Sequence, residues 1–147
     1  MKKYFLMGVA GIATCTVISA QAMVDNTTLI GHWVNHSKTD AVSDFAIAKN
    51  SNGTLSIRVQ DKCKTKNCTW KTAQLKTFSQ SPIDKNVTDA IAVWHFHRDK
   101  WGHNAMTDTA TIKKINPNQL SVNFFVVFTD NSGRSNFVST ETFDRGE

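Results

Sequence analysis

Trp94-His95-Phe96-His97 is the stretch of this chain best equipped for chemistry. Alternate side chains of a strand leave on opposite faces. His95 and His97 would therefore project together, about 7 Å apart, while Trp94 and Phe96 take the other side. Two neutral imidazoles so placed could share a metal ion if His103, beyond the next turn, or Asp108 on the following strand supplied a third ligand. The same pattern also describes two solvated histidines on an outer face with Trp94 and Phe96 in the core. An H-x-H pair without a fixed third ligand does not define a metal site, so the solvated arrangement is expected and no cofactor is called for.

The remaining candidates are weaker. Lys62, Lys64, Lys66, Lys71 and Lys76 cluster near Cys63 and Cys68 and could meet phosphate, acidic glycan or lipid headgroups, but a solvated charge run that guards a sheet edge has the same composition. Trp70 and Trp101 beside it could stack on a ligand or plug hairpins. Asp130, Ser132, Arg134 and Asn136 are turn formers first, their side chains suited to bonding nearby backbone. No G-x-S-x-G is present, and the acidic residues are scattered through turns, so an enzyme is not expected.

The elements that would carry these residues are all strands. No sustained 3.6-residue apolar period follows Ala22; short alternating runs bounded by Asn, Asp, Gly, Ser and Pro recur instead. The pattern predicts strands over 29–35, 44–49, 54–62, 69–79, 90–98, 105–114, 120–129 and 135–143, with 81–89 as the longest loop. Asn50-Ser51-Asn52-Gly53 carries an Asn-Gly hairpin signal. Leu55, Ile57 and Val59 share one face, and Leu120, Val122, Phe124, Val126 and Phe128 share another. Tandem strands with short loops predict an all-β, eight-stranded antiparallel up-and-down barrel, which removes exposed sheet edges and leaves room for packed side chains or one small ligand. A β-sandwich is the alternative, disfavoured because Greek keys need longer crossings.

The start of the chain predicts export. Lys2 and Lys3 precede an apolar run from Tyr4 to Ile18, and Ala20 and Ala22 are the small residues a signal peptidase reads. Residues 1–22 are expected to be a cleavable signal peptide and 23–147 one barrel domain; Cys15 falls within the apolar run and would be lost. The run is too short to span a membrane, and no transmembrane segment is expected after cleavage. Losing Lys2 and Lys3 reduces the formal charge from +5 to +3, which does not suggest a nucleic-acid partner. Cys63 and Cys68 then remain as an even pair in an oxidising compartment, and a disulfide closing their short loop is expected.

Gly31-His32-Trp33 in the first strand, with Arg145 just past the last, resembles the lipocalin-like (calycin-type) barrels. That resemblance implies that Trp33 plugs one end of the barrel and Arg145 stacks across it. Trp33-Val34-Asn35, Cys63-x4-Cys68-x-Trp70 and the run Phe128–Phe137 also resemble uncharacterised small secreted bacterial β modules, a likeness that implies location and no activity.

The expected function is that of a periplasmic or secreted, monomeric, non-catalytic binding protein. Its barrel would hold a small, mainly apolar ligand against Leu55, Ile57, Val59, Ile112, Phe124 and Phe128, with Trp33 and Arg145 at the end. A surface interaction module of the cell envelope, binding a protein, glycan or lipid headgroup, is the alternative. A metal-binding protein using His95, His97 and His103 is a further one.

Overall fold

The computed structural model describes residues 27–37, 42–62, 67–97 and 105–147. The expected signal peptide, Cys63, Lys64, Lys66, Trp101 and His103 lie outside the described residues. The described chain is all β except for one short 3-10 turn at Thr27–Leu29.

The strands are β1 (Gly31–Asn35), β2 (Val42–Lys49), β3 (Leu55–Lys62), β4 (Asn67–Thr69), β5 (Ala73–Ser79), β6 (Val87–Phe96), β7 (Met106–Asn116), β8 (Gln119–Phe128) and β9 (Phe137–Arg145). β4 and β5 both pair with β3, opposite its end and its beginning respectively. They act as one barrel strand interrupted at Trp70–Thr72, where the Trp70 N–H still donates to Val59 O at 2.9 Å. With β4 and β5 counted as one strand, each strand pairs antiparallel with its predecessor, and β9 returns to β1 through Trp33↔Arg145, Val34↔Asp144 and Asn35↔Phe143. The sheet closes on itself. It is an eight-stranded up-and-down barrel and not a sandwich.

Local chemistry explains the elements. Alternating β-branched and aromatic residues satisfy the ladder while sending every second side chain inward. Leu55, Ile57 and Val59 of β3 are buried, as are Leu120, Val122, Phe124 and Val126 of β8. The β2–β3 turn closes with Gly53 N–H donating to Asn50 O at 2.9 Å, and Gly53 takes a φ of 85°, a region costly for other residues. Several boundaries differ from those the sequence predicts. Leu29 ends a 3-10 turn and does not begin the first strand, β2 begins at Val42 and not at residue 44, and the strand expected over 69–79 is divided into β4 and β5. β6 begins at Val87 inside the expected loop, and β9 runs from Phe137 to Arg145, so that Arg145 is its last residue and not beyond it. Arg145 is drawn into the ladder because its backbone pairs opposite Trp33.

Candidate functional site

The two ends of the barrel are built differently. At one end lie the start of β1, the β2–β3 turn and the β7–β8 turn. Here Trp33 is fully buried, its indole N–H donates to Leu29 O at 3.0 Å, and Arg145 lies 4.3 Å over the ring. The Arg145 guanidinium donates to Ile30 O, Thr28 O and Pro117 O at 2.9–3.1 Å, joining the chain before β1 to the β7–β8 turn. Gly31 is required here: its φ is 145°, and a Cβ would stand 2.6 Å from Arg145 Nη1. The G-x-W spacing thus has a mechanical reason. The glycine leaves room for the cation that covers the tryptophan. Leu29, Phe45, Ile47, Leu55, Ile57, Val59, Ile112, Leu120 and Phe143 fill the interior above this plug.

The described residues do not fill the opposite end. A cavity of about 180 Å³ lies between the end of β3, the starts of β2, β7 and β9, and the end of β8. Its apolar wall includes Val42, Trp70, Met106, Phe124, Val126, Phe128 and Phe137. Trp70 stands edge-on to Trp94, Phe96 and Phe124, with ring centroids 5.2–6.1 Å apart. At the rim Arg134 stacks 3.9 Å over Phe128 and donates to Asp130 at 2.7 Å, so the polar turn after β8 anchors a cavity-wall aromatic.

Three carboxylates, Asp61, Asp108 and Glu141, share this cavity, and among the described residues no basic side chain lines it. Two have donors. Asn35 Nδ2 donates to Glu141 at 2.6 Å while also donating to Val42 O, and Ser139 Oγ donates to the other Glu141 oxygen at 3.2 Å. The Trp70 indole N–H donates to Asp61 at 3.3 Å. Asp108 differs. It is 3 % exposed, and its Oδ1 finds no hydrogen-bond donor among the described residues. Burial first, then the negative charges of Glu141 and Asp61, push its carboxyl up to about 7. A carboxyl displaced so far in a cleft is characteristic of functional sites.

The residues expected to bind a ligand therefore divide among three places. Phe124 and Phe128 line the open cavity. Leu55, Ile57, Val59 and Ile112 belong to the packed core and do not line it; Trp33 and Arg145 form the plug at the far end. His95 is exposed on the outer face, where its Nδ1 lies 3.1 Å from Thr107 Oγ1, and His97 is exposed after β6. No group of three metal-ligating side chains is gathered among the described residues. Trp70 is half-buried beside the cavity, and Lys62, Lys71 and Lys76 are exposed. Cys68 stands opposite Asp61 in the β3–β4 ladder.

The sequence reading missed Asp61, Glu141, Asn35 and Ser139, and it gave Asp108 a different role. All five lie on the inward face of their strands.

The chain matches no family model, no curated protein and no solved structure. The closed eight-stranded antiparallel architecture is consistent with a lipocalin-like small barrel. The reading of function therefore rests on the site itself.

Proposed function

We propose that this is an exported, non-catalytic binding protein that holds a small, mainly apolar ligand in the open end of its barrel. The observation that carries the reading is the asymmetry of the interior: one half is filled and sealed, while the other keeps a cavity walled by aromatic and aliphatic side chains. Ligand sites are characteristically concave and apolar, with a few convergent polar groups, and this end has that composition. An apolar cavity of about 150 Å³ suffices to hold benzene. At about 180 Å³ this one takes a group the size of a single ring, with the remainder of a ligand directed to the mouth.

Export and a Cys63–Cys68 disulfide belong to the same reading. Cys68 stands on β4 opposite Asp61, and Cys63 follows directly in sequence on the last residue of β3. The location is periplasmic or extracellular.

Native mass spectrometry of the protein purified from its own envelope or culture fluid tests the proposal. A co-purifying small molecule that is lost in Val126→Trp, a substitution that fills the cavity, is the expected result. No bound mass, together with no change in Trp70 fluorescence across a panel of small aromatic compounds, would overturn it.

A second reading has one observation of its own. Val93, Phe125 and Val138 are all more than two-fifths exposed and stand in one cross-strand row on the outer wall through Thr109, with Val127 beside them. Such a row suits a surface interaction module of the envelope. Chemical cross-linking in intact cells, lost in a Phe125→Ser/Val138→Ser variant that still folds, would support this use of the outer wall instead.

A further inference from the structure

The cavity combines an apolar wall with a negative charge that no lining residue among those described compensates, and this defines its ligand more narrowly than an apolar cavity alone. We infer that the barrel binds a small organic amine: an apolar body of about one ring against Phe124, Val126 and Phe128, and an ammonium group donating to Asp108. The inference rests on the proposed use of this cavity as a ligand site.

Its first support is the state of the three carboxylates. Asn35 and Ser139 occupy both oxygens of Glu141, and the Trp70 indole serves Asp61. Among the described residues Asp108 alone has a buried side-chain oxygen, Oδ1, with no donor, and Asp108 lines the cavity. Buried polar atoms are nearly always satisfied, and an exception in a cleft is where a bound group completes the set. A ligand must therefore bring a donor.

Electrostatics decide which donor. Three carboxylates line one cavity without a lysine, arginine or histidine among the lining residues, although the chain as a whole is basic at +5. A neutral hydroxyl would satisfy Oδ1 and leave the negative field uncompensated. An ammonium does both, and hydrogen bonds between ionised partners are about twice as strong as neutral ones. An anion is repelled. A divalent metal ion needs several carboxylates converging on one point, and no such group is assembled among the described residues. The positive charge thus belongs to an organic cation whose apolar part uses the wall.

The test is a titration of the mature, oxidised protein at pH 8 with three probes of matched shape: 2-phenylethylamine, 2-phenylethanol and 3-phenylpropanoate. Binding is followed by Trp70 fluorescence and confirmed by calorimetry. The amine is expected to bind at least about tenfold more tightly than the alcohol, and the carboxylate not to bind measurably. In Asp108→Asn the amine should fall to about the affinity of the alcohol. Alcohol and amine binding equally in the native protein would overturn the inference and leave the cavity reading standing. A preference for the amine that survives both Asp108→Asn and Glu141→Gln would also overturn it. No binding of amine or alcohol would remove the cavity reading, and the inference with it.

Discussion

Asp108→Asn should stabilise the empty protein at neutral pH. The Asp108 carboxyl has an ordinary value of 3.8 and is held at about 7 in the fold, chiefly by burial and then by the charges of Glu141 and Asp61. Between those two pH values the native state carries a proton that the unfolded chain has released, so stability falls as pH rises from about 4 to about 7. Above pH 7 the carboxyl is charged in both states, and the whole cost is present. At 1.36 kcal/mol for each tenfold change in proton affinity, the cost is about 4 kcal/mol. The cavity opens to solvent and water screens part of the charge, so about 2 kcal/mol is the amount an uncharged asparagine of the same shape should recover. For a domain of this size that corresponds to a rise in Tm of about 8 °C at pH 7.5. The difference between the two proteins should shrink towards zero as pH falls to 4. Thermal unfolding of both proteins, followed by circular dichroism across pH 4–8, measures it. A Tm for Asp108→Asn no higher than that of the native protein at pH 7.5, or two pH profiles that run parallel, would refute the reasoning.

Other outcomes follow from the same geometry. Gly31→Ala should cost about 1–3 kcal/mol in urea unfolding, because a Cβ at φ 145° is strained and meets Arg145 Nη1 at 2.6 Å. Arg145→Lys should lose part of the fork that reaches three carbonyls and lower stability by about 1–2 kcal/mol, while leaving the distant open cavity able to bind its probes. Asp144 is held below the usual carboxylate range by hydrogen bonds from His36 and Gln119, so its contribution is present above about pH 4 and lost as pH falls through the lowered value. Asp144→Asn should therefore weaken the protein at neutral pH and flatten its loss of stability in acid, as read from acid-unfolding midpoints. Replacing Cys63 and Cys68 by serine should reduce stability by about 2 kcal/mol, since the loop they would close is short.

The barrel was legible because its chemistry is local. Alternation in β3 and β8, the Asn-Gly turn and the run of short connections specify successive antiparallel neighbours without any knowledge of distant contacts. The plug was legible from Gly31, Trp33 and Arg145 through their likeness to a known type of barrel. The cavity was not. A period-2 pattern says which side chains point inward, but not how far along the barrel the filling extends, so Leu55, Ile57, Val59 and Ile112 could not be distinguished from cavity wall. The acidic residues were read as scattered because their positions in sequence are far apart. One signal was available: Asp61 continues the inward series Leu55, Ile57, Val59, Asp108 precedes Ala110 and Ile112, and Glu141 precedes Phe143. In an up-and-down barrel the end of β3 and the starts of β7 and β9 lie at one mouth, so extending each alternation by one place brings the three carboxylates together.

That arrangement also explains how a destabilising carboxylate is held in place. Asp108 lies within β7 with Trp94 of β6 paired on one side and Val126 of β8 on the other, so the strand cannot swing it into water without breaking two ladders. Its neighbours are fixed as well, Glu141 by Asn35 and Ser139 and Asp61 by Trp70. The cost of bringing like charges together is thus met on folding, largely by the filled half of the barrel and the Trp33–Arg145 plug, and not when a ligand arrives. A cation entering this mouth would meet carboxylates already held in place and relieve an existing repulsion, which is the condition under which a small cavity binds a small ligand well. Sequences depart from the rule of satisfied interiors mainly where a site requires it. Among the described residues of this barrel the departure is confined to Asp108 at that end.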